Sequence, residues 1–189
     1  MSRIGVFFDR DGLLNVNTHY PHLVEDCYLV HGIGNALAAV VVHPRFVPIV
    51  VTNQGGVGEG RYSKEDAMAF EAELRRKIFF DTGFTIPVEN WYHSWSSDDS
   101  DPFRKPNPGM LLQAAKDHDI NLNTSAMFGD KPSDLIAGAR AGCCALYLIG
   151  KGTPSLYDQV NSFMGVMNAK RRAKRRARKA CTSDSYEFT

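Results

Sequence analysis

Five short apolar runs recur along this chain with helix-like stretches between them, and that alternation restricts the fold more than any other feature. The runs are "RIGVFF", "RFVPIVVTNQ", "VENWYHS", "SAMFGD" and "CCALYLI". Between them lie "GIGNALAAVVVH", "AMAFEAELRRKIFF", "GMLLQAAKDH" and "DLIAGARAG", and "SLYDQVNSFMGVMN" closes the series. Parallel strands need long crossovers, which helices of this length supply. The expectation is an α/β fold, a Rossmann-like and mostly parallel sheet with helices on both faces. Ser63 followed three residues later by Asp66 marks a capped helix start. Pro48 inside the second run lacks an N–H, so a strand start or an irregularity is expected there.

In such a sheet ligands bind outside the carboxyl ends of the strands. The polar residues at those ends are Asp9 and Asp11, then Thr52, Asn53 and Gln54, then Asp130 and Lys131. Taken alone, "DRDG" reads equally well as a polar turn. Three strands delivering polar groups to one edge argue against that simpler reading. Two neighbouring carboxylates and a third from another strand form a hard-oxygen set suited to Mg²⁺. A hydroxyl and amides at Thr52–Asn53, with a cation from "FRKPNPGM", suit a phosphate. An aspartate can then be the nucleophile and form an aspartyl-phosphate, provided a metal and a lysine offset its repulsion of the phosphate dianion.

Four segments in this order resemble the motifs of the haloacid dehalogenase (HAD) superfamily of phosphohydrolases: "DRDG" with Asp9 and Asp11, "VVTNQ" with Thr52, "RKP" with Lys105, and "GDKPSD" with Asp130. The resemblance covers roughly residues 3 to 150. "DRDGLLN", "TNQGGVGEGRYS", "RKPNPGM" and "GDKPSDLIAGARAG" are similar to the branch containing D-glycero-D-manno-heptose 1,7-bisphosphate 7-phosphatase and histidinol-phosphate phosphatase. "TNQGGVGEGRYS", with "HYPHLVED" ahead of it, looks nearer the heptose enzymes.

The resemblance implies a role for each matching position. Asp9 is the nucleophile, and Asp11 protonates the leaving oxygen before taking a proton from water. Mg²⁺ sits between the Asp9 carboxylate, the Asp11 main-chain carbonyl and Asp130. Thr52 and the Asn53 amide hold phosphoryl oxygens, and Lys105 neutralises charge. Arg104, Asn53 and Gln54 contact the rest of a small phosphorylated substrate, and Asp134 holds Lys131 or a metal-bound water. Histidinol-phosphate or polynucleotide 3′-phosphatase activity is the alternative within the enzymes. A binding module that has kept the fold and lost catalysis is the alternative from another class. The heptose branch carries a zinc loop with Cys and His ligands just before "RKP". Here that place reads "HSWSSDDSDPF", with one histidine and no cysteine, so no structural zinc is expected.

Only 41 positions separate Asp11 from Thr52, enough for a loop, a helix and a strand but not for a cap domain. Selection then falls to the loops around His19–Val24, Gly55–Arg61 and Trp95–Phe103. "QGGVGEG" matches no phosphate-loop spacing and reads as a mobile loop, while His19 and His22 read as surface or substrate-loop residues. Asp98, Asp99 and Asp101 read as a solvated loop, Cys143, Cys144 and Trp91 as core, and Trp95 as rim.

At 189 residues, 43% hydrophobic and 23% charged, a single soluble domain with one core is expected. No run is long enough to span a bilayer, the first strand begins too early for a signal peptide, and the four cysteines show no disulfide spacing. A cytoplasmic monomer is the resulting expectation. The net charge of +1 conceals an asymmetry. "KRRAKRRARK" at 170–179 holds 8 of the 22 Lys and Arg, which leaves 14 basic against 19 acidic residues in 1–169. The division expected is a phosphatase domain over 1–168 and a basic tail over 169–189. That tail is expected to be disordered or a frayed helix, able to contact nucleic acid or an anionic surface weakly.

Overall fold

The computed structural model of the chain describes residues 2–183. Its centre is a five-stranded sheet, β1 (Ile4–Phe8), β2 (Phe46–Asn53), β3 (Trp91–Ser94), β4 (Ala126–Gly129) and β5 (Ala145–Leu148). The strands lie in the order β3-β2-β1-β4-β5, and every neighbouring pair is parallel. Six helices connect or flank them: α1 (Ile33–Val41), α2 (Gly55–Gly58), α3 (Lys64–Thr82), α4 (Gly109–Asp117), α5 (Pro132–Ala141) and α6 (Leu156–Ser183). The alternation read from the sequence is the alternation of the fold.

Both faces of the sheet are covered, so the inner strands are continuously apolar. All five residues of β1 are buried. Alternate side chains go to two cores. Val6, Phe8, Val50 and Phe128 pack with α1, α3 and α6 on one face. Phe7, Ile49, Val51 and Met127 pack with α4 and α5 on the other. The chain winds outward from β1 through β2 to β3, then returns to β4 and β5 on the opposite side. The order therefore reverses between β1 and β4, and this switch point leaves a crevice at their carboxyl ends.

Local chemistry accounts for several boundaries. Ser63 Oγ accepts from the Asp66 N–H while the Asp66 carboxylate accepts from the Ser63 N–H, which closes the capping box at the start of α3. Pro48 lies in the middle of β2, opposite Val6. Its carbonyl accepts from Asn90 Nδ2 at 2.8 Å, on the side where β3 pairing begins only at Val50. The missing N–H faces that same unpaired stretch, so the proline breaks no ladder bond.

Two expectations are corrected. "QGGVGEG" is no open loop: Gly55 to Gly58 form one helical turn, with Gly55 and Gly56 buried. A Cβ on Gly56 would collide with the Tyr62 and Tyr20 rings, so small size, rather than freedom, is what this position requires. The second concerns Cys143 and Cys144, which lie in the turn before the edge strand β5; Cys143 is half-buried and Cys144 exposed. Trp91 is in the core, and Trp95 is half-buried against the His93 ring.

Helix α6 docks through Leu156, Val160, Phe163, Met164 and Met167, at helical spacing on one face. It then continues through the basic run to Ser183. Ala, Lys and Arg are good helix formers, which suits that continuation. Residues 184–189 of the expected tail lie outside the described residues. Among those described, no helix is long and apolar enough to cross a membrane.

Phe163 is the anchor of α6, edge-on to Phe46, Phe128 and Tyr147 and 1% exposed. Phe163→Ala is expected to lower unfolding free energy by about 3–5 kcal/mol, read from the urea midpoint. A loss below about 1 kcal/mol would mean that α6 is not part of the core.

Candidate active site

The switch-point crevice gathers the charged residues at the strand ends. Asp9 follows β1, and its N–H donates to Phe128 O on β4 at 2.9 Å. Lys105 enters from the loop after β3 and is 4% exposed. Its ammonium contacts Asp9 Oδ1 at 2.6 Å, Asp134 Oδ1 at 2.7 Å and Val51 O at 2.8 Å. An ammonium has three N–H donors, and all three are taken. Burial alone would lower the Lys105 pKa, but Asp9 and Asp134 outweigh it and hold the group above its ordinary value as a cation.

Asp130 closes the cluster from β4. Burial, and after it the Asp9 charge, push its carboxyl from 3.8 to about 6. One carboxylate oxygen each from Asp9, Asp130 and Asp134 lies within 4.8 Å of the others. Asp134 has little left to offer a cation, since Oδ1 pairs with Lys105 and Oδ2 accepts the Lys131 N–H at 3.0 Å. Asp130 Oδ1, by contrast, is buried without a partner among the described residues. Facing carboxylates with an oxygen left over fit a hard divalent cation, and Asp9 and Asp130 are the pair best placed to hold it. Gly12, at φ 88°, lets the chain pass beside Asp130, where a Cβ would strike its carboxylate.

Asp11 is held differently. Arg10 Nε and Nη2 donate to its two oxygens at 2.8 and 3.0 Å, and Gln54 Nε2 adds a third bond at 3.2 Å. Arg10 is fully buried, with its guanidinium over the Phe70 ring at 4.9 Å and a further bond to Pro21 O. Gln54 is 1% exposed; it donates to Thr52 Oγ1 at 2.9 Å and accepts from the Tyr62 hydroxyl at 2.9 Å. Gln54 is therefore a buried support for Asp11 and Thr52, not a surface contact. Thr52 Oγ1 accepts that bond and keeps its own proton to donate.

The Asn53 side chain is also engaged: it accepts from Lys105 N and donates to Lys105 O, both at 2.9 Å, clamping the "RKP" loop to β2. The Gln54 N–H donates toward β3, so the Asn53 N–H faces the β1 side, beyond the last paired residue there, Phe8. Arg104 donates to Ser96 O and Asp99, with Gly55 leaving it room. Arg104, Lys131, Ser133, His19 and Tyr20 line an open cleft of about 550 Å³ above the carboxylates. A small chamber of about 40 Å³ between Asp9, Asp11, Asn53 and Lys105 continues the cleft downward. All eight candidate residues thus converge on one edge, though Gln54 and the Asn53 side chain serve from behind it. Sequence reasoning missed Arg10 and Tyr62; the only signal for Arg10 was its place between two acids.

Known proteins share this fold. A HAD-hydrolase-like family model matches residues 102–163. The chain is 34% identical over 157 residues to D-glycero-alpha-D-manno-heptose-1,7-bisphosphate 7-phosphatase of Burkholderia mallei, covering 79% of this chain and 81% of that one. It is 33% identical over 139 residues to the beta-anomer enzyme of Helicobacter pylori, covering 72% and 78%. Among solved structures, a HAD-like phosphatase from Mesorhizobium loti superposes with a TM-score of 0.72 at 25% identity, over 89% of this chain and 87% of that one. The D,D-heptose 1,7-bisphosphate phosphatase of B. bronchiseptica, solved with magnesium and phosphate, superposes with a TM-score of 0.74 at 23% identity, over 86% and 98%. The chain belongs to the HAD family and is one of its phosphatases, hydrolysing phosphate monoesters.

Because folding raises the Asp130 pKa, the folded state holds that proton more tightly than the unfolded chain. This contribution to stability is complete below about 3.8 and is lost as pH rises through about 6. A divalent cation competes for the same carboxylate. Mg²⁺ is expected to raise the melting temperature at about pH 7.5 and to do so much less at about pH 5. Asp130→Asn should abolish the Mg²⁺ effect and stabilise the metal-free protein above about pH 6. An equal Mg²⁺ shift in wild type and variant would place the cation elsewhere.

Proposed function

We propose that this phosphatase is Mg²⁺-dependent and works through an aspartyl-phosphate on Asp9, removing the 7-phosphate of a D-glycero-D-manno-heptose 1,7-bisphosphate. The observation that carries the reading is the Asp9–Lys105–Asp134 cluster with the orphaned Asp130 oxygen, at the floor of an uncapped cleft. The cleft volume is in the range of small-molecule sites. The heptose substrate rests on the names of the relatives, which cover both anomers.

Lys105 holds one Asp9 oxygen and leaves the other for attack on phosphorus. Asp11 takes up a proton in place of one of its N–H bonds and gives it to the leaving oxygen as the P–O bond to the sugar breaks. Thr52 Oγ1 and the Asn53 N–H take the phosphoryl oxygens whose charge grows in the transition state. Water then attacks the phosphorus of the acyl phosphate, Asp11 takes back a proton, and Asp9 is released as carboxylate with inorganic phosphate. Arg10 and Gln54 keep Asp11 at the mouth, so it must exchange one of their bonds for the leaving oxygen. Mg²⁺, held by Asp9, Asp130 and the Asp11 carbonyl, would neutralise the phosphoryl charge. Arg104 and Lys131 line the outer cleft, which supports a role for both in holding the polar remainder of the substrate.

Asp9→Asn should remove turnover while the melting curve stays cooperative, because an amide does not attack phosphorus. Retained turnover would sink the nucleophile assignment. Asp11→Asn should slow sugar-phosphate hydrolysis by about 10²–10⁴ and slow an aryl ester with a good leaving group much less. A phosphate-release panel of both heptose bisphosphate anomers, histidinol phosphate and a 3′-phosphorylated oligonucleotide decides the substrate. Activity on the heptose esters should also survive a zinc-selective chelator when Mg²⁺ is supplied. Preference for either other ester would overturn the heptose reading.

A further inference from the structure

At the amino-terminal edge of the sheet, opposite the hydrolytic site, three arginines and a histidine surround one cavity. Arg3 precedes β1, His43 and Arg45 precede β2, and Arg171 comes down from α6; the cavity is about 390 Å³ and, among the described residues, no acidic residue lines it. Arg171 stands four residues after Met167, so it extends the docking stripe of α6 and faces the body of the protein. An apolar or acidic neighbour would complete that stripe. Instead, Arg171 meets Arg45. Its Nε is buried without a partner among the described residues. None of the three arginines makes an ion pair among those residues. Arg45 has Asn168 Oδ1 at 3.4 Å as its side-chain partner, and desolvation together with Arg171 lowers its pKa.

Charges gathered this way, with Arg45 partly desolvated and set against Arg171, are stabilised by an anion. The helix that leaves the cavity says which kind. Lys170, Arg172, Lys174, Arg175 and Arg176 are exposed, and with Arg171 they cover about two thirds of the circumference at 100° per residue. The remaining sector holds Ala169 and Ala173. A helix that lies in a lipid surface needs a large apolar face, and two alanines do not make one. A rod charged on most sides fits a repeating chain of phosphates.

We propose that the Arg3–Arg45–Arg171 cavity and the basic end of α6 form a binding site for the sugar–phosphate backbone of a nucleic acid, independent of the hydrolytic site. Arg3 and Asp9 are separated by the length of β1, about 20 Å at 3.3 Å per residue, so the two sites can be occupied together. Recognition is by backbone charge and carries no sequence preference.

The test is fluorescence anisotropy of the full chain with a labelled short DNA duplex, between about 50 and 200 mM salt. Arg45→Gln with Arg171→Gln should reduce the slope of log affinity against log salt by about 0.9 for each phosphate that is no longer neutralised, and should leave hydrolysis of a small phosphate ester unchanged. Arg45→Lys with Arg171→Lys should keep both the slope and the turnover, which separates charge from packing. Arg3→Gln, an exposed side chain, gives a third reading should the glutamine pair not fold. Affinity and slope unchanged in the glutamine pair and in Arg3→Gln would overturn the cavity's part. Absence of duplex binding at low salt, or binding to phosphatidylserine vesicles with none to the duplex, would overturn the proposal as a whole.

Discussion

The ammonium of Lys105 sits among three acceptors, Asp9, Asp134 and the Val51 carbonyl, and the order of the catalytic edge follows from that enclosure. It ties the ends of β1, β2 and α5 to the loop after β3. Asp9 and Asp134 are 4% and 1% exposed, so leaving either carboxylate there without a partner would be costly. Removing the lysine would strand two buried carboxylates, a loss of the order of 3–5 kcal/mol. Asp130 is left outside this neutralisation. Burial, and after it the Asp9 charge, raise its pKa, and its Oδ1 has no partner among the described residues.

The pairing divides the labour among the acids. Asp9 is fixed by a cation on one oxygen, Asp134 is consumed in holding Lys105 and capping α5, and Asp130 is left for a ligand. Asp11 stands apart, held by Arg10 and Gln54, whose own supports are the Phe70 ring, Pro21 O and the Tyr62 hydroxyl. Tyr62 also stacks on His22 at 4.7 Å, so the loop around His19–His22 and the turn before α3 meet behind Asp11. Loops that border the cleft and supports that aim Asp11 are therefore one connected structure. Among the described residues no cap domain covers the cleft, and those loops border it.

The frame of this arrangement was legible in the sequence because it depends on periodicity and order. Apolar runs alternating with helices imply a parallel sheet, and polar residues after those runs imply a reactive carboxyl edge. The pairing of side chains at that edge was not legible. Strand alternation sends Arg10 away from Asp9 and Asp11, yet the turn at Gly12 brings the Asp11 carboxylate back onto its guanidinium. Gln54 and Asn53 look like ligand contacts from sequence, since amides at a strand end commonly face outward. Only the position of Lys105, 52 residues beyond Asn53, explains why the Asn53 amide turns to the loop backbone instead. The glycines of "QGGVGEG" mislead for a similar reason, as their spacing carries no trace of the Tyr62 ring that packs on Gly56.

The central claim is that Asp9 carries the phosphoryl group. Borohydride reduction of a reaction quenched during turnover converts an acyl phosphate to an alcohol, changing aspartate to homoserine. Trypsin releases residue 9 in the peptide "IGVFFDR", which contains no other acid, so mass spectrometry reads the site directly. The predicted result is homoserine at position 9, dependent on substrate and absent in Asp9→Asn. Reduction at another acid, or an unmodified "IGVFFDR" while the leaving alcohol is released in a burst ahead of phosphate, would contradict it.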